Sequence, residues 1–304
     1  MSEQPDTYAA SAEVGAVRTR RSRFERFGLL MKSAPPSAWF GMTVVAIYIL
    51  VAIFADVIAP YGEAEIHSAA FAPWGDEFFF GTDQIGRDVL TRLIYGARNT
   101  MGIALATTFL SFLIGGGLGL VAAINRRWLD QALSRFVDVL MAIPSLIFAL
   151  MLLSIFGSTI TSLIIIIAVL DSTRVFRLTR AVAVNVAVMD YVEAAKLRGE
   201  GLGWIMRREI LPNIMPPLVA EFGLRFCFVF LTIAALSFLG VGIQPPTADW
   251  GSMVRANASL IQFAKYDMTA AITPLLPAAA IALLTVAVNF IVDWFLQKTS
   301  GLRE

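Results

Sequence analysis

From Val139 to Leu170, thirty-two consecutive residues carry no charged side chain. Residues 101–124 and 269–292 are also uncharged, and residues 38–59 hold a single charge, Asp56. A soluble core of this kind would need several uncharged helices of over twenty residues within 304. Runs of that length read instead as membrane spans, because about 20 apolar residues cross ~30 Å of hydrocarbon. Whole-chain composition agrees. Charged residues make up 15% and hydrophobic ones 57%, where a soluble domain carries about 25% charge. A transmembrane β-barrel would require short segments of alternating polarity, and these blocks do not alternate. The expectation is an all-α polytopic membrane protein.

The 32-residue block is too long for one straight span, since it would run ~48 Å as a helix. FGST at 156–159 is a plausible turn within it. Six spans follow, at roughly 38–59, 100–124, 136–155, 160–180, 214–239 and 271–293. The first begins after a polar tail, is long, and has no small-x-small cleavage site close behind it, so it reads as retained rather than as a signal peptide. The tail, 1–37, is loose and basic at its end, which suits contact with anionic lipid.

Lys and Arg choose the side. With the N-terminus inside, the inner segments 1–37, 125–135, 174–213 and 294–304 hold 18 of them, and the outer segments 60–99 and 240–270 hold 5. Arg225 lies within a span and completes the 24. The positive-inside rule then places both termini in the cytoplasm, along with the most charged stretch of the middle chain, DYVEAAKLRGEGLGWIMRREILPN, residues 190–213.

That stretch favours a helix up to Arg198, a turn at GEGLG, and a second short helix that Pro212 would help to end. Ala194 and Ala195 remove bulk from the first helix, so another surface can approach. Tyr191 and Trp204 offer aromatic anchors, and Lys196, Arg198, Arg207 and Arg208 offer charge-assisted bonds. Two readings stand: a helix–turn–helix bracket that docks a soluble partner, or a solvated loop with ordinary inner-side charge.

The outer segment Phe80–Thr100, FGTDQIGRDVLTRLIYGARNT, gathers charge between Asp83 and Arg92. Asp88 and Arg92 are spaced to pair on one helix face, and Gly81 and Gly86 let the chain fold back tightly. It reads as a structured cap or as a simple stapled loop. Gln244, Pro245 and Pro246 suit a rigid turn, and Trp250 suits the membrane interface. Within the spans, Glu221 and Arg225 can pair along one helix, with Asp171 and Arg174 near the inner end of another. Such charges are costly in hydrocarbon and serve either as an interhelical lock or as contacts for a polar substrate. The glycine run at 115–120 permits close helix packing. His67 belongs to no site pattern, and Met141, Met151 and Met189 read as packing. The single cysteine, Cys227, excludes an internal disulfide. The chain has no GxxxxGK[ST], no HExxH, no nucleophile–base pair and no nucleic-acid module, so it reads as a non-enzyme without nucleic-acid partners.

EAAKLRG, followed after nine residues by EILPN, resembles the EAA loop of ATP-binding-cassette importer permeases. Glu193, Ala194, Ala195 and Gly199 match its core, and Ile210, Leu211, Pro212 and Asn213 its tail. The outer segment, with Gly81, Thr82, Asp83, Gly86, Arg87 and Asp88, is similar to the signature of the C-type subunit of dipeptide, oligopeptide and nickel permeases. LSFLGVGIQPPTADWGSM at 236–253 and the residues Asp138, Ala142, Ile143 and Pro144 also match. The resemblance implies the type I importer permease fold of the cytoplasmic (inner) membrane, with 1–37 as tail, 38–99 as first span and cap, and 100–304 as a five-span core. It implies that the loop at 190–213 couples to a separate ATPase. The implied partners are a B-type permease, two ATP-binding subunits that use ATP and Mg, and an extracytoplasmic solute-binding protein. No cofactor is implied on this chain. Peptides are the default cargo, with nickel, opines and glycosides as relatives' alternatives, moved by alternating access. A secondary transporter or channel subunit is the competing class.

Overall fold

The computed structural model describes residues 34–67, 70–125 and 128–299. The basic tail proposed as a lipid contact lies outside the described residues. The helices belong to one compact unit beginning at Pro36.

Helix α1, Pro36–Ile53, starts on a proline whose missing N–H would have no partner in a first turn anyway. It ends short of the expected 59. The Arg98 guanidinium reaches in and donates to the carbonyls of Ala52 (2.8 Å) and Ile53 (3.2 Å) and to both oxygens of Asp56. The chain breaks at Phe54 and resumes as α2, Ala55–Ile58. Helix α3, Val89–Ile124, has 36 residues and so runs ~54 Å. It begins eleven residues before the expected 100, so its first turns lie in the cap rather than in the apolar layer.

The expected span 136–155 is two helices. α4, Trp128–Ala142, and α5, Ser145–Phe156, meet at 90°. Pro144 is the cause: it lacks an N–H and pushes Ile143 out of helical conformation. The turn at FGST is where it was expected. Gly157 closes α5 at φ +86, and Thr159 caps the next helix by accepting from Ser162 N. That helix, α6, runs Ile160–Val186.

Next come α7, Asp190–Leu197, α8, Leu202–Ile205, a π-helical turn Met206–Ile210, and α9, Leu211–Phe238. Pro212 does not end the second short helix. The π-turn carries the chain past it, with Leu211 N donating to Met206 O, and the helical path is continuous from Leu202 to Phe238. Beyond it lie α10, Trp250–Asn257, a 3-10 turn Ala258–Phe263, α11, Met268–Ile272, and α12, Leu275–Thr299.

Among the described residues, four stretches are long and apolar enough to cross a membrane: Pro36–Ile53, Val89–Ile124, Leu202–Phe238 and Met268–Lys298. The bent pair α4–α5 makes a fifth if it counts as one span. α6 falls short of that apolarity because Asp171, Arg174, Arg177 and Arg180 lie along its middle and later turns. The chain is thus an all-α, multi-pass membrane fold.

α3 and α6 form the most extensive helix pair. Gly115 and Gly119, one turn apart, lie against α6: a Cβ on Gly115 would overlap the Ser172 carbonyl, and one on Gly119 would press on the Phe176 carbonyl and Thr179. In lipid, where no apolar driving force favours one helix neighbour over a tail, such backbone approach is what binds helices together. Around this pair α9 packs on α3, α6 and α12, and α1 on α12 and α3. Leu153, Leu163, Phe230, Leu236 and Leu284 fill the centre, fully buried.

Gly115→Val should therefore lower stability by roughly 1–3 kcal/mol as an overpacked contact. Gly117→Ala should be neutral, since a Cβ there meets nothing within 4 Å. Thermal melting in detergent, followed by size-exclusion elution, distinguishes the two.

Candidate functional site

Three places gather the singled-out residues. The first is the bracket. α7 begins after Met189 and ends in a Schellman motif: Glu200 N donates to Ala195 O (3.2 Å) and Gly199 N to Lys196 O (3.0 Å), with Gly199 at φ +80. A side chain at Gly199 would meet no atom within 4 Å, so glycine is required here by backbone conformation alone. Val192 and Ala195 face inward, fully buried against Ala183, Ile205, Ile210 and Ile214. The smallness of Ala195 therefore serves the seating of α7 on its own fold. Ala194 faces out with Tyr191 and Glu193. Leu197 (84% exposed), Leu202 and Trp204 add apolar surface beside them. Leu211 is half-buried and Pro212 exposed. A cleft of about 360 Å³ opens between Glu193 and Lys196 of α7, Leu202, and the end of α3 at Ile124.

The second place is the cap, closed around one carboxylate. Asp83 Oδ1 accepts from the backbone N–H groups of Ile85 (3.0 Å) and Arg87 (3.1 Å). Its Oδ2 takes Arg87 Nε at 2.8 Å, with the second arm at 2.7 Å, and Arg92 Nε lies 3.6 Å away. Gly81 and Gly86, at φ +72 and +85, turn the chain on either side. Thr82 and Asp88 bridge, and Thr82 Oγ1 accepts from Ala72 N. Thr82, Asp83, Arg87, Asp88 and Arg92 are all buried. The expected Asp88–Arg92 pair does not form. Asp88 is the N-cap of α3, accepting from Thr91 N at 2.7 Å, and Arg92 turns instead to Asp83 and to the carbonyls of Glu63 and Pro246.

The third place lies among the helices. Arg225 of α9 sits between Asp171 of α6 (3.5 Å) and Glu221 of its own helix (2.7 Å), with its guanidinium 4.6 Å from the Phe228 ring centre. Ser111 of α3 donates to Asp171 at 3.1 Å. Arg174 shares the wall of a shallow pocket with Asp171 but stays exposed and forms no ion pair within 4 Å among the described residues.

Several working residues were not foreseen. Glu63 Oε1 accepts from Asn99 Nδ2 (2.8 Å) and Ala248 N (2.6 Å), tying the cap to α3 and to the loop before α10. Asp249 caps α10 through Gly251 N and Ser252 N. Burial pushes its carboxyl above the usual range, against the pull of those hydrogen bonds. Its position ahead of a short polar-faced helix is the one available sequence signal. Trp250 is not at an interface. It is buried, donates to Leu93 O at 2.9 Å and fills the space left by Gly96. No group of three or more metal-ligating side chains occurs among the described residues.

Residues 115–299 match the family described as binding-protein-dependent transport system inner membrane component, and residues 35–74 match the N-terminal TM domain of oligopeptide transport permease C. The chain is 32% identical to the dipeptide transport system permease protein DppC of Alkalihalophilus pseudofirmus, over 100% of this chain and 94% of that protein. It is 34% identical to the di/tripeptide transport system permease protein DppC of Pseudomonas aeruginosa, over 87% of this chain and 85% of that one. Among solved structures, an inward-facing MetNI methionine ABC transporter chain superposes with TM-score 0.52 at 19% identity, covering 68% of this chain and 97% of its own.

Asp83→Ala should cost about 3–5 kcal/mol, the scale of leaving buried cations without their partner. Gln84→Ala, exposed on the same turn, should change little. Yield of folded protein and melting temperature in detergent read the difference.

Proposed function

The chain belongs to the family of binding-protein-dependent transport system inner membrane components, and on that premise we propose that it is the C-type permease subunit of an ATP-driven importer of short peptides. It moves cargo by alternating access with ATP hydrolysed on separate subunits, and is not itself an enzyme. Six membrane crossings complete the fold, with α6 as the crossing that carries its own charges and both termini in the cytoplasm. The partners are a homologous B-type permease, two cytoplasmic ATP-binding subunits and an extracytoplasmic solute-binding protein. ATP and Mg act on those partners.

The observation that carries this reading is the bracket. Its inner face is packed by Val192 and Ala195 onto the ends of the long helices, and its outer face offers Ala194, Tyr191 and Leu197 to a partner. Seated on those helix ends, α7 passes displacement from a soluble motor to α6 and α9. Gly199 holds its corner, and Leu211 and Pro212 join it to α9. The cap, with Gly81, Thr82, Asp83, Gly86, Arg87 and Asp88, shapes the outer entrance.

Among the intramembrane charges, Asp171, Glu221 and Arg225 act as a lock between α6 and α9. The contact of Arg225 with a carboxylate on another helix supports this. Arg174, exposed beside it, is the candidate for contact with passing cargo.

Ala194→Arg should reduce ATP-driven peptide uptake in proteoliposomes more than tenfold, with loss of co-purifying ATPase subunits and an unchanged melting temperature. Undiminished coupling in that variant, or uptake driven by an ion gradient with this chain alone, would overturn the reading. Arg225→Gln and Glu221→Gln should lower thermal stability while preserving the order of preference among peptides. A changed preference at normal expression would remove the lock assignment.

A further inference from the structure

At the cap end a polar pocket of about 240 Å³ opens between the cap, the end of α9 and α10. The charged side chains on its wall are Asp83, Arg87, Arg92 and Arg255. They are not equivalent. Asp83 is held by Arg87 at 2.7 Å with Arg92 at 3.6 Å. Behind the wall, Glu63 is committed to Asn99 and Ala248 N, and Asp249 to the first turn of α10. Arg255 is exposed and has no acidic partner within 4 Å among the described residues, whereas Arg87 and Arg98 at the same end each have one. Its guanidinium lies over Gly240, at φ +88, where a Cβ would overlap it. Gln244 is tied back to the carbonyls of Gly240 and Gly242 beside it. The pocket therefore presents a cation with unused donors beside two further buried arginines whose one shared carboxylate is already occupied.

Its size limits the occupant. Small-molecule sites commonly enclose ~300–1,000 Å³, and this pocket falls below that range, so it suits a single inserted side chain better than a whole peptide. We propose that the pocket receives an acidic side chain of the solute-binding partner, with Arg255 as the charge-assisted donor that fixes the partner against the cap. The inference rests on the reading of the chain as a binding-protein-dependent permease. A carboxylate seated there would touch the cap on one side and α10 on the other, so docking would join two parts of the outer end that are otherwise linked through Glu63 and Arg92.

The test is the assembled permease–ATPase complex in proteoliposomes, titrated with its solute-binding protein while ATP hydrolysis is followed. Arg255→Glu should raise the half-saturating concentration of binding protein about tenfold or more, the scale of one charge-assisted bond. Arg255→Gln should raise it by less, and serves as the test if the Glu variant does not assemble. Lys265→Glu, which alters another exposed cation of this end outside the pocket, should leave it unchanged. Equal half-saturation for wild type and the Arg255 variants, with wild type stimulated normally, would overturn the inference and leave the importer reading intact. So would an equal shift from Lys265→Glu, which would mark diffuse charge instead of a site. A rise only in the peptide concentration needed at saturating binding protein would assign the carboxylate to the cargo and overturn the partner assignment. A wild-type complex that no binding protein stimulates would overturn the functional reading, and this inference with it.

Discussion

The contact on which the rest of the molecule depends is the approach of α3 to α6 at Gly115 and Gly119. Lipid tails are as apolar as the side chains they surround, so helices in hydrocarbon associate through backbone proximity and polar contacts rather than through expulsion of water. Two glycines one turn apart bring α3 within reach of the α6 carbonyls. That closeness places Ser111 against Asp171, and Asp171 in turn faces Arg225 of α9. A wider α3–α6 spacing would leave Asp171 without its hydroxyl donor. The small residues and the buried charges are thus one arrangement, with the first creating the geometry that makes the second tolerable.

The cap is built on a different principle. Glu63, Asp83, Asp88 and Asp249 each accept at least one backbone N–H or side-chain amide. Three of these carboxylates close turns or start helices, and Glu63 ties separate segments together. Polar bonds of this kind are stable at a membrane edge because they satisfy backbone groups that neither a helix nor lipid can satisfy. Arg92 reaches across the cap to the carbonyls of Glu63 and Pro246, so the segment before α3 and the loop after α9 behave as one platform.

What the sequence made legible follows from the range of each interaction. Uncharged runs, the FGST turn, the glycine contacts and the Gly199 corner all depend on local composition or a single backbone conformation, and each could be read in place. The bend at Pro144 was readable in principle, since proline disfavours helix on both sides. The unbroken apolar run concealed it. Contacts that reach across the chain were not legible. Arg92 chose Asp83 and distant carbonyls over Asp88 because Asp88 was already needed by the N-terminus of α3. Trp250 has the composition of an interface residue, and its burial depends on distant partners: the bare backbone of Gly96 makes room for the ring, and Tyr48 and Phe230 pack against it. Arg98 stops α1 through carbonyls 45 and 46 positions away, which no periodicity encodes.

The path between the bracket and the buried charges has a distinct mechanical character. The helix from Leu202 to Phe238 is continuous, yet Pro212, Pro216 and Pro217 each lack an N–H, and a π-turn precedes them at Met206–Ile210. Within the same stretch the Asn213 side chain donates to Glu209 O at 2.6 Å. A helix stripped of several ladder bonds over one stretch bends there before it bends elsewhere. Beyond Leu218 no proline interrupts α9, and Arg225 is joined to α6 across the core. Bending of α9 is therefore easiest over residues 206–217, ahead of the part that the Arg225 contact ties to α6.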